Sequence, residues 1–98
     1  MGAVKKKTRH LFEILSHPAR LRLVELLSAR PHKNRDLAKR LKINESSLGH
    51  HIQHLREVPG LLVTEREGQL ALHSIDRRVL AEALIDLGKA AGLDVTVR

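Results

Sequence analysis

Between Asn44 and Glu57 the chain sets Ser46, Ser47, Gly49, His50, Gln53 and His54 among the aliphatic residues Leu48, Ile52 and Leu55. Hydroxyl, carboxamide and imidazole groups donate and accept hydrogen bonds without a fixed charge. Gln53 suits an adenine edge, His50 a purine acceptor, and the two serines a phosphate or a base. A plain solvent-facing helix would carry Glu and Lys at such positions. Gly49 costs a helix about 1 kcal/mol relative to Ala, and on an outward face it lets a sugar-phosphate backbone come close. Seven histidines and no cysteine define the metal chemistry open to the chain. His50 and His54 share a helical face at i, i+4, yet neither a carboxylate at the right spacing nor a third ligand accompanies them, so no metal site is expected. His51 lies one turn from both Leu48 and Leu55, which reads as half-buried, hydrogen-bonded packing. His10, His17, His32 and His73 are scattered along the chain, and only pairing of two copies would gather His10 or His73 into an inter-subunit site. No Ser/His/Asp spacing, glycine-rich phosphate loop or pair of carboxylates in a pocket-forming context points to catalysis, and no cofactor is implied.

The whole chain is 98 residues and 42% hydrophobic, with one Phe and no Trp or Tyr. A chain of this size holds one core, and an aliphatic core favours helices packed on helices. The net charge of +7 is unevenly spread. Residues 1–56 carry thirteen basic and four acidic side chains, a balance of +9, whereas residues 57–98 carry five and seven, a balance of −2. Basic charge so concentrated attracts a polyanion, and nucleic acid fits better than an anionic membrane because the cations occupy several segments instead of lining one amphipathic helix. No apolar run approaches the ~20 residues of a membrane span, and no signal-peptide core follows the basic start. A cytoplasmic protein is the expectation.

The elements that would hold the polar residues follow from periodicity. Val4, Leu11, Ile14 and Leu15 fall at helical spacings, with Phe12 beside them, and Ser16-His17-Pro18 ends that first helix. Pro18 suits the first turn of a second helix reaching about Ser28, whose Leu21, Leu23, Val24, Leu26 and Leu27 make it the most buried. After the loop Arg30 to Lys33, Asn34 or a neighbour caps a short third helix from Arg35 to Leu41. Lys42-Ile43-Asn44 interrupts the pattern, and Asn44 caps a fourth helix, Glu45 to Glu57, ended by Pro59-Gly60. The period then drops to alternation. Leu61 to Thr64 and Gln69 to Ile75 form a hairpin joined by Glu65-Arg66-Glu67-Gly68, and Asp76 caps a last helix reaching about Ala91. The apolar stripes of the first and last helices are long for so small a domain, as if both pack against a second copy.

This order, with residues 35–57 as two helices about a three-residue turn and residues 61–75 as a hairpin, is a winged helix-turn-helix arrangement: mainly α, five helices and a two-stranded wing. The chain resembles the ArsR/SmtB-type transcriptional regulators in His17-Pro18-Ala19-Arg20-Leu21-Arg22-Leu23, similar to the opening of that family's second helix. Asp36-Leu37-Ala38-Lys39-Arg40-Leu41 and His51-Ile52-Gln53-His54-Leu55-Arg56, similar to the family's recognition helix, extend the match, and it runs on through the wing to about Asp76. The resemblance implies a homodimeric DNA-binding repressor, joined through residues 1–17 and 76–92, that reads an inverted repeat. Two departures are plain. Lys33 and Arg35 stand where metal-sensing members carry a Cys-x-Cys, and the last helix has no histidine for the family's other zinc site. The connection Val58-Pro59-Gly60-Leu61 is also longer than usual.

The expected partner is therefore double-stranded DNA, read by Asn44, Ser46, Ser47, Gly49, His50, Gln53 and His54. Phosphate anchoring falls to Lys33, Arg35, Lys39 and Arg56, with Arg66 at the wing tip. Glu65 and Glu67 would repel phosphate unless turned away. The alternatives are a winged-helix protein-docking module and a structured-RNA binder.

Overall fold

A computed structural model describes residues 3–93. Its elements are α1 (Lys6–Leu15), α2 (Pro18–Ala29), α3 (Asn34–Leu41), α4 (Glu45–Arg56), β1 (Leu62–Glu67), β2 (Leu70–Ile75) and α5 (Arg77–Ala90). One continuous cluster of aliphatic side chains, with Leu23, Leu37, Leu55 and Leu61 fully enclosed, joins all five helices to the base of the hairpin.

Each helix end has a local cause. Helix α1 follows Lys5, whose side chain makes no capping bond; the Lys5 backbone N–H instead donates to the Asp86 carboxylate of α5 at 2.8 Å. That bond and the Thr8 hydroxyl, the larger influence, hold the Asp86 carboxyl below the usual carboxylate range. The His17 ring accepts from the Ala19 N–H and Pro18 takes the first turn of α2. Leu21, expected in the buried stripe of α2, is 47% exposed, because it stands outside the arc on which Leu23, Val24, Leu26 and Leu27 meet the core. Helix α3 starts at Asn34, one residue earlier than expected, after Lys33 and with no side-chain cap, since the Asn34 carboxamide bonds elsewhere. Lys42 closes α3 in the left-handed conformation (φ 57°), its N–H reaching the Ala38 and Lys39 carbonyls. Asn44 then caps α4 by accepting from the Ser47 N–H at 2.7 Å.

The hairpin is longer and tighter than expected. Its strands pair from Leu62↔Ile75 as far as Glu67↔Leu70, leaving a two-residue turn, Gly68-Gln69, in place of a four-residue loop. Gly68 has φ 61°, which a hairpin turn with glycine at its first central position requires. Arg66 consequently sits within β1, opposite Ala71, and not at the tip. At the other end His32 pairs with His73 through two backbone hydrogen bonds of 2.9 and 2.8 Å, so the loop before α3 is stitched to the wing.

Candidate nucleic-acid interface

Leu48, Ile52 and Leu55 of α4 are buried. Burying such side chains is worth about 1.5–3 kcal/mol each, well above the ~1 kcal/mol that Gly49 costs, so the apolar edge sets the rotation of the helix. The opposite edge presents Ser46, Gly49, His50, Gln53, His54 and Arg56 to solvent, with Ser47 half-buried. A Cβ built on Gly49 would have no atom within 4 Å, so no intramolecular contact demands glycine there. Two of the expected readers are partly engaged already. The Asn44 carboxamide oxygen is committed to the cap of α4, and His54 Nδ1 lies 3.0 Å from the Glu57 carboxylate.

Beside this edge runs an open groove of about 540 Å³ between the start of α3, the inner side of α4 and the wing. Lys33, Arg35, Arg56 and Arg66, from three places in the sequence, all line it, together with Gly49 and Gln53. Strand alternation puts Thr64 and Arg66 on one face of β1 and Glu65 and Glu67 on the other, so the two carboxylates are turned from the groove. The exposed Lys39 lies outside this lining.

Beneath the groove lie residues that the sequence reading did not assign to the site. His73 is 3% exposed; its Nδ1 is 2.9 Å from the Thr64 hydroxyl and its Nε2 2.8 Å from the Asn34 carboxamide oxygen. Burial first, then the neighbouring Arg56 and Arg66 cations, push its pKa below the ordinary histidine value. His32, also buried, donates from Nδ1 to the Arg30 carbonyl at 2.8 Å. Both rings are thus internal hydrogen-bonding groups, which removes His73 from any inter-subunit metal site. The strand period alone, with the turn set at Gly68-Gln69, would have put His73 across from Thr64. His51 is half-buried as expected: its ring centroid is 4.6 Å from that of His17, and Arg20 Nε donates to its Nδ1 at 3.4 Å. Burial, then the nearby His17 and Arg20, lower its pKa. Among the described residues no group of three or more His, Asp or Glu is arranged to hold a metal ion, and no helix is long and apolar enough to cross a membrane.

Residues 17–58 match the family model described as bacterial regulatory protein, arsR family. A transcriptional repressor of Bacillus subtilis, SdpR, is 25% identical over 75 residues, 76% of this chain and 82% of that protein. Among solved structures, reduced HlyU of Vibrio cholerae is 25% identical, with a TM-score of 0.69 over 86% of this chain and 87% of its own. An ArsR-like transcriptional regulator of Rhodococcus superposes with a TM-score of 0.78 at 19% identity, over 88% and 80% of the two chains, a likeness of fold.

Proposed function

From the match of residues 17–58 to the arsR-family model and the winged helix-turn-helix fold shared with ArsR-like regulators, we propose that the chain acts as a homodimeric repressor, in the cytoplasm, by occupying an inverted-repeat operator. The observation that carries this reading is the exposed, hydrogen-bonding edge of α4 lying next to a groove lined by four cations. The edge has the dimensions and chemistry for a major groove, where Gln53, His50 and Ser46 meet base edges. Lys33, Arg35 and Arg56 have the long cationic side chains that phosphate contacts use, and release of counterions from the duplex would supply much of the affinity. Arg66, set back along β1, faces the same groove and approaches the flanking backbone from the wing. Lys39 supplies a further cation outside the groove. The repressor role is supported by the likeness to SdpR. Dimerisation through α1 and α5 is supported by Leu84 and Leu87, which stand 45% and 41% exposed on α5. No catalytic step is part of this reading.

Selection of bound duplexes from a random pool tests it. The expected product is an inverted repeat whose half-sites lie about one helical turn, 10–10.5 base pairs, apart, so that two recognition helices enter successive major grooves on one side. Recovery of no preferred duplex, with RNA or a protein retained in its place, overturns it.

A further inference from the structure

Four polar side chains from four elements meet under the groove as a chain with one direction. The Arg56 guanidinium of α4 donates to the Thr64 hydroxyl oxygen of β1 at 3.2 Å. Thr64 Oγ1 is 2.9 Å from His73 Nδ1 on β2, and His73 Nε2 is 2.8 Å from Asn34 Oδ1 at the start of α3. An amide oxygen has no proton to give, so His73 Nε2–H is the donor to Asn34. In the neutral ring Nδ1 is then an acceptor, and the single hydroxyl proton of Thr64 must point to it. That leaves the lone pairs of Thr64 for Arg56. Burial and the adjacent Arg56 and Arg66 favour an uncharged His73, and an uncharged ring in this arrangement carries its proton on Nε2.

The middle of this chain, His73, is buried, and its two ends, Asn34 and Arg56, reach the groove. Arg56 spends one of its five N–H donors on Thr64 and keeps the others for a ligand. A free arginine loses rotamer entropy when it is ordered; one already tethered loses less on binding. The Asn34 bond, with the His32–His73 backbone pair, also holds the wing to the first turn of α3, which sets the width of the groove.

We propose that Thr64 and His73 are positioning residues for nucleic-acid binding, tethering Arg56 toward a phosphate and locking the wing to α3. This rests on the duplex-binding reading above. The test is a double-mutant cycle on equilibrium binding to a fluorescently labelled random-sequence duplex at low salt. Thr64→Val keeps the branched shape and removes the hydroxyl; it should weaken binding about two- to tenfold, the range expected for one side chain that must be ordered on contact. Arg56→Ala should weaken binding and reduce the salt slope by about one. In the Thr64→Val background the same Arg56→Ala change should produce about half its effect or less, because the two groups act as one unit. Nitrogen-15 spectra of the unaltered protein, which need no variant to fold, should show His73 protonated on Nε2 alone. Additive losses, unchanged binding by Thr64→Val, or a His73 ring protonated on Nδ1 would each overturn the tether while leaving duplex binding intact. Failure of the unaltered protein to bind any duplex would remove both readings together.

Discussion

Two faces of the molecule are built on opposite principles. Around the groove, α4 shows no exposed large apolar side chain, Leu70 of β2 is the one large apolar residue of the lining left open to solvent, and the polar groups beneath are joined by short hydrogen bonds from Asn34 through His73 to Thr64. On α5, Leu84 and Leu87 are open to solvent at a helical spacing, while Ala83 and Gly88, which flank them, are buried. The groove face is finished within one chain, and the ligand proposed for it is a polyanion. The α5 face leaves apolar area exposed, and the partner proposed to cover it is a second copy. Affinity for DNA is expected to need both, because joining two modest half-sites multiplies their strengths without a new contact.

The largest effect should come from breaking the apolar face. Leu84→Glu combined with Leu87→Glu is expected to yield a folded monomer by sedimentation and to weaken binding of a selected two-half-site duplex by about 10²–10⁴-fold, the range such linkage supplies. An unaltered protein that sediments as a monomer yet binds the repeat tightly would refute the division of labour. On the groove face, Gln53→Ala should cost about 1–3 kcal/mol against the preferred base at one position of the site and little at the others. A panel of operator variants reads this directly, and unchanged relative affinities would take Gln53 out of base reading.

Smaller changes sharpen the contrast between stability and binding. Because space around Gly49 is open, Gly49→Ala should raise the thermal stability of the free protein by about 1 kcal/mol while lowering duplex affinity, the added methyl standing where the backbone approaches. A gain in both would show that nothing approaches there. The smallest effect concerns acid. His51 and His73 both hold pKa values below 6.5 when folded, so in the window just below pH 6.5 the unfolded chain binds more protons than the folded one. Stability should therefore be level above that window and fall as pH drops through it, until the folded-state values are passed. Replacing either histidine with glutamine should flatten the decline seen in urea titrations, and a decline that survives both replacements would assign it to other groups.

The helices were legible because their causes are local. The 3.6-residue recurrence of Leu48, Ile52 and Leu55, the Asn44 cap and the Pro59-Gly60 stop all act within a few residues of one another. Exposure of Ser46, His50 and Gln53 follows from the same period. The exposure of Leu21 is not legible in the sequence because a count of apolar residues does not say which arc of α2 the neighbours cover. The hairpin turn was misplaced because Glu65 to Gly68 and Gly68-Gln69 both contain the needed glycine, and the pairing of Glu67 with Leu70 decides between them. Asn34, three residues after the loop proline, satisfies local rules as a helix cap; only the arrival of His73 from the wing, 39 residues on, draws its carboxamide away.

The residues alone determined the helix-turn-helix register, the polar edge of α4 and the surplus of positive charge, since periodicity, capping and charge count depend on neighbours along the chain. Tertiary structure decided which cations share the groove, the direction of the Arg56–Thr64–His73–Asn34 chain, and the emergence of Leu84 and Leu87 at the surface. Those depend on the pairing and packing of segments far apart in sequence, where a shift of one residue in a strand turns every side chain to the other face.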